Sequence, residues 1–329
     1  MDIILAGETA LQYWRQNRSD RPLPNASMIK GGHGPSLAKV EAELLADAYQ
    51  LSLPLCIYAH EESQTRRDAF STTVRCSAGN APAIIRLHEG LAVSTPEFAL
   101  LQVAHRSSPV RLLYDCYELC GDFKRNEFSG SGFITVAPLM TPESLEAFLR
   151  SIPTITSVND RPQCVRGANN LSRLLPFLAA NAHSPMEIET AMRFVLPYKL
   201  GGYKLPLMQL NPELKLTSAQ QRILGRPTLK PDLYWPQQRV IAEYESALHM
   251  NPEQHAYDAL RNNAFTELGL QMILITSDHL SSVRKMDELA EQLARLLGKR
   301  IRPSISDHLV RKDRLARELY QIRQERSSL

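Results

Sequence analysis

The sequence predicts a two-part α+β protein whose second part carries the chemistry, and three observations lead there. The chain has 329 residues, more than one hydrophobic core usually serves. Its first half alternates short strand-like runs with turns, whereas from residue 184 the order becomes helix, strands, helix, strand, helix. Two acids, Asp232 and Glu243, face each other across a tight β-hairpin. The parts are assigned as an α+β accessory domain over residues 1–164, a second domain of helices and strands built around the hairpin over 165–300, and a basic helix over 301–329.

In the first part, residues 53–58 and 83–87 are predicted strands. Ser94-Thr95-Pro96-Glu97 opens a buried helix with a hydroxyl cap and an early proline. Residues 111–120 form a second apolar helix, stopped by Gly121. Residues 124–138 are Gly- and Ser-rich and are assigned to a loop, and 141–150 to a third capped helix. Prolines 153 and 162 mark the boundary.

A connecting helix is predicted over 165–180 and another over 185–196, with Gly201-Gly202 breaking the chain. A strand follows over 214–217, then the hairpin strands 229–235 and 239–245. Helix 253–268 ends at Gly269, strand 271–276 is apolar, and amphipathic helices cover 281–297 and 307–326.

Apolar content of 43% and charged content of 22% describe a chain able to build full cores. The net charge of +3 is weak support for a nucleic-acid partner, but the charge is unevenly spread. From Arg284 to the end there are 12 Lys/Arg and 7 Asp/Glu, a local +5. The basic end suits either phosphate tracking or a solvated helix. The five cysteines, at 56, 76, 116, 120 and 164, have irregular spacing and point to reduced thiols rather than a disulfide framework. The start lacks the basic and apolar regions of a signal peptide, and no stretch reaches membrane-span length, so a cytoplasmic location is expected.

The hairpin is the most informative element. A turn centred between Gln237 and Gln238 pairs positions whose numbers add to 475, so Asp232 faces Glu243, Tyr234 faces Ile241 and Lys230 faces Glu245. Two carboxylates about 5 Å apart at an effective dielectric of about 20 repel by roughly 3 kcal/mol. A cation or a shared proton relieves that repulsion. Strand alternation puts Leu229, Leu233, Trp235, Val240, Ala242 and Tyr244 on an apolar face, and Lys230, Asp232, Tyr234, Ile241, Glu243 and Glu245 on a face lining a cleft or solvent. Grouped hard oxygen ligands suit Mg²⁺ or Mn²⁺, which polarises a phosphodiester and activates water. The competing reading is a solvated strand face with an ordinary Lys230–Glu245 pair.

Ser184-Pro185-Met186-Glu187, Pro231-Asp232-Leu233-Tyr234-Trp235-Pro236, Glu243-Tyr244-Glu245-Ser246-Ala247-Leu248-His249, Asp258-Ala259-Leu260-Arg261 and Gly269 before an apolar strand resemble the PD-(D/E)XK nuclease superfamily, in its very-short-patch-repair (Vsr)-like branch. The resemblance spans about residues 183–285 and implies a restriction-endonuclease-like fold, a mixed sheet with a central hairpin flanked by helices. It implies metal binding by Asp232, Glu243 and Glu187, with Glu245 or Lys230 positioning water and His249 assisting. The chain departs from the pattern at Glu245, where the superfamily's lysine or aspartate stands, and at Ser246. Lys230 on the facing strand is the candidate substitute. Glu187 has a second reading, because Ser184-x-x-Glu187 is a capping box. Asp258 and Arg261 read either as an i,i+3 pair or as part of the site. Gly7-Glu8-Thr9-Ala10-Leu11 and residues 90–104 are loosely similar to the domain preceding such nuclease-like units in relatives of the abortive-infection antitoxin AbiEi.

The expectation is thus a Mg²⁺- or Mn²⁺-dependent endonuclease acting on DNA, double-stranded rather than single-stranded, in a bacterial setting of defence or mobile elements. The alternative is a catalytically degenerate nuclease fold that binds DNA or protein as an antitoxin-like regulator.

Overall fold

A computed structural model describes residues 2–327 apart from 22, 30–36, 60–67, 75, 77, 127, 130–131, 153–154, 157–161, 164, 246–251 and 304. Helix and strand are mixed throughout. The chain divides into two compact units, Met1–Leu178 and Ala179–Leu329, later than the expected 164/165 boundary. Among the described residues no helix is long and apolar enough to cross a membrane.

The first unit runs β1 (Ile3–Leu5), α1 (Gly7–Gln16), α2 (Lys39–Ala48), β2 (Leu55–Tyr58), β3 (Ser71–Val74), β4 (Ile84–His88), β5 (Leu91–Ser94), α3 (Pro96–Val103), α4 (Pro109–Cys120), β6 (Phe123–Arg125), β7 (Phe133–Thr135), α5 (Pro142–Ser151), β8 (Ile155–Thr156), β9 (Pro162–Gln163) and α6 (Ala168–Leu174). Its five-stranded sheet has the order β3-β2-β1-β5-β4. The hydroxyls of Thr95, Ser108 and Thr141 cap α3, α4 and α5, each ahead of a first-turn proline. Residues 124–138, expected as a loop, hold part of a two-stranded ribbon, β6–β7. Phe123 and Phe133 pack edge to face at 5.6 Å, and Arg125 lies over the Phe133 ring. Cys116 and Cys120 are fully buried in α4, where burial pushes both thiols up; Cys56 and Cys76 are half-buried free thiols. Cys164 lies outside the described residues.

The second unit runs α7 (Pro185–Val195), β10 (Gln209–Leu210), β11 (Leu214–Lys215), α8 (Ser218–Leu224), β12 (Thr228–Leu229), β13 (Leu233–Trp235), β14 (Val240–Glu245), α9 (Pro252–Glu267), β15 (Gln271–Thr276), α10 (Ser277–Ser281), α11 (Val283–Leu296) and α12 (His308–Ser327). Its sheet has the order β10-β13-β14-β15. β14 and β15 are parallel, so α9 is the crossover that parallel neighbours require. The hairpin register is Leu233↔Ala242, Tyr234↔Ile241 and Trp235↔Val240, the pairing that the turn position predicts.

Two expectations are corrected. The first hairpin strand is not continuous from 229 to 235. Pro231 has no N–H to give a ladder, and the chain bends at Asp232, so β12 leaves the sheet to pair with β11. The face assigned to a cleft is also half core. Ile241 is fully buried, in a cluster with Leu216, Leu224, Leu229, Ala264, Phe265 and Leu270, and Tyr234 and Met272 pack against it. Helices α8 and α9 supply this cover. The other face holds Leu233, Trp235, Val240 and Ala242, all buried; Trp235 meets Phe194 of α7 at 6.1 Å and donates to Pro206 O.

Candidate functional site

The acids gather at the start of β13 and the end of β14, beside Arg261 of α9. Asp232 sits just before β13, at the bend, and lies outside the β13–β14 backbone ladder, which starts at Leu233. Its side chain continues the ladder: Oδ2 accepts the Tyr244 N–H at 2.7 Å. The Asp232 N–H in turn donates to Glu243 Oε1 at 3.3 Å. The two facing residues are thus brought together as the register predicts, each carboxylate holding a backbone N–H of the opposite strand. Glu243 Oε2 meets Arg261 Nη1 of α9 at 2.7 Å. Among the described residues, Asp232 Oδ1 takes no hydrogen bond.

Glu187 joins from the first turn of α7. The Ser184 hydroxyl accepts the Glu187 N–H at 3.3 Å and donates to Oε1 at 2.8 Å, and the His183 N–H donates to Oε2 at 2.9 Å. Asn211 Nδ2 donates to that same Oε2 at 2.5 Å and to Asn181 O at 2.8 Å. Asn211 N–H donates to Asp232 O, so this one residue ties the α7 cap to the hairpin bend. It holds φ +50°, a conformation that asparagine tolerates better than most residues.

The electrostatics follow from burial. Glu243 is pushed up to about 8, first by burial and then by the Asp232 charge, with Arg261 opposing. Glu187 rises to about 7 for the same two reasons, against the His183 N–H, Asn211 and the His183 ring. Asp232 is raised by burial, countered by the Tyr244 N–H, Arg261 and His183. For Glu243 and Glu187, repulsion, the cost foreseen from the hairpin, is the second cause and not the first.

The remaining candidates lie around this core. Glu245 is exposed at the end of β14. Lys230 Nζ pairs with Glu213 at 3.2 Å rather than with Glu245, because the bend at Asp232 takes Lys230 out of the ladder. His249 lies outside the described residues, and Asp258 lies on the part of α9 whose side chains are outside them. Arg261, read as a partner for Asp258 or as part of the site, reaches Glu243.

Among the described residues, no group of three or more His, Cys, Asp or Glu is arranged to hold a metal ion. The donors do not form an all-protein cage, and both Glu187 oxygens are already engaged. They fit a leaner arrangement. Mg²⁺ commonly takes one or two carboxylates and keeps several waters. Asp232 Oδ1 and Glu243 Oε2 are the oxygens that could hold such an ion, and the second of them is paired with Arg261.

His183 and Asn211 were not singled out from the sequence. Their only local signals are the turn at Asn211-Pro212 and the position of His183 just before a helix cap. Neither tells that 24 residues of separation close to a hydrogen bond. Comparison of the chain with known protein families, curated proteins and solved structures gives no match.

Proposed function

We propose that the second unit is a PD-(D/E)XK-type, Mg²⁺- or Mn²⁺-dependent endonuclease domain acting on DNA phosphodiesters. The observation that carries this reading is the approach of Asp232 and Glu243 across the hairpin, at a buried site whose acids are held above their usual range. The order helix, sheet with a hairpin, crossover helix, parallel strand and helix also supports it.

In this reading Asp232 and Glu243 bind the ion directly, and Glu187 orients the site through the α7 cap and Asn211. The ion supplies charge neutralisation at the phosphate and a more acidic water. Glu245, two residues beyond Glu243 and so on the same face of β14, would position or activate the water in this reading. The resemblance gives His249 an assisting role and Lys230 that of an ammonium near the water, a role Lys230 can take only by leaving Glu213.

The test is cleavage of plasmid and single-stranded DNA in Mg²⁺ or Mn²⁺ by the full chain, with Asp232→Ala and Glu243→Ala beside it. Wild type is expected to cleave and each variant to lose activity by a factor on the order of 10² or more, as when a buried group stabilising a transition state is removed. Absence of cleavage under every metal, with DNA binding unchanged in both variants, favours the second reading, a nuclease fold retained as a binding module. That alternative draws on the internal neutralisation of Glu243 by Arg261 and on the engagement of both Glu187 oxygens.

A further inference from the structure

Of the two Glu243 oxygens, Oε1 already accepts the Asp232 N–H, which leaves Oε2 as the one that an ion shared with Asp232 Oδ1 would take. That oxygen is held by Arg261 Nη1 at 2.7 Å. Arg261 is attached at two other points. Its Nη2 donates to Lys230 O at 2.9 Å, and its guanidinium lies 5.2 Å from the centroid of the buried Phe265 ring. The side chain is 24% exposed against 7% for Glu243, so the cation is on the open side of the carboxylate.

We propose that Arg261 is the site's internal counter-ion. It holds Glu243 Oε2 while no metal is bound, gives up that oxygen when a divalent cation binds, and then presents its guanidinium to the phosphate of the nucleic-acid substrate. Three considerations support the exchange. Two cations on one buried carboxylate oxygen repel each other at close range. The contacts to Lys230 O and Phe265 keep the guanidinium at the site once Glu243 is released. A planar guanidinium with a free edge is the side chain best matched to a phosphodiester. The inference rests on the metal-dependent reading of the same acids.

The experiment measures Mn²⁺ binding to the full chain by calorimetry, and the rise in melting temperature that Mn²⁺ produces, for wild type, Arg261→Gln and Arg261→Lys. Arg261→Gln is expected to bind Mn²⁺ about tenfold tighter, as when a competing interaction worth a single decade is removed, and yet to need more DNA for half-maximal cleavage at saturating Mn²⁺. Arg261→Lys, which keeps the charge but loses the forked geometry, should fall between the two and serves if the glutamine variant does not fold. Unchanged or weaker Mn²⁺ binding in both variants overturns the proposal while leaving the metal site standing. No Mn²⁺ binding by wild type or by either variant overturns the metal-dependent reading itself, and this inference with it. Tighter Mn²⁺ binding without any cleavage supports the counter-ion exchange and counts against catalysis.

Discussion

Glu243 reaches about 8 and Glu187 about 7 chiefly because burial penalises charge, with Asp232 adding to each. Both groups hold protons in the folded chain that they release on unfolding, where the ordinary value is 4.5. Folding therefore binds protons between those values, and stability falls as pH rises. The contribution is full below about pH 4.5 and is lost as pH climbs through about 7 to 8. Arg261, His183 and Asn211 face these acids and moderate the effect without reversing it. Melting curves without metal should show a lower transition at pH 9 than at pH 5.5. Glu243→Gln should flatten that difference, since an amide has no proton to lose. Mn²⁺ should restore stability at pH 9 more than at pH 5.5, because an ion needs the carboxylates ionised. A metal-free melting temperature that rises with pH over this range would contradict the assignment.

At the scale of elements, the site is held by one helix cap and one helix–sheet contact. Ser184→Ala removes the cap that also fixes Glu187, and should cost about 1 kcal/mol in urea unfolding. Phe265→Ala opens a cavity beneath Ile241 and should cost about 3–5 kcal/mol. Because Phe265 also carries the Arg261 guanidinium, this variant should change Mn²⁺ affinity as well, which Ser184→Ala reaches only through Glu187. Helix α8, which is not among the expected elements, does carry local signals: Thr217 and Gln220 form a reciprocal capping box, and Gly225 ends the helix at φ +68°. The β6–β7 ribbon was hidden for a different reason. Its strands have three residues each, too short for alternation to register, and aromatic contact decides their pairing.

At the scale of the second unit, the basic C-terminal helix is a packed element. Leu315, Leu319 and Ile322 of α12 are buried, and His308 bonds Gly202 O at 3.0 Å. Much of its charge is paired: Lys312 with Asp287, Arg311 with Asp307, Arg317 with Asp313 and Arg323 with Glu189. The local +5 therefore overstates what is available to a phosphate backbone. The helix lies so close to Gly201 that a Cβ there would come within 2.3 Å of Arg311 O, at φ +89° besides. Gly201→Ala should displace α12, and hydrogen exchange should show faster exchange over 308–327, with the hairpin amides much less affected. Unchanged exchange in α12 would mean that the contact is not needed to dock it.

The sequence by itself determined the hairpin, its register and the opposition of Asp232 to Glu243, because a tight turn and a period of two fix local geometry. It likewise determined α7, α11 and β15, whose caps and apolar spacing are local signals. Only the tertiary structure decided which part of the hairpin face is open. That depended on α8 and α9 covering Ile241, while α9 brings Arg261 to the buried Glu243. It also decided the counter-ion: Lys230, a neighbour in sequence, turns away to Glu213, and Arg261 arrives from the crossover helix. A pairing between side chains on separate elements depends on how those elements pack, and no local spacing encodes it.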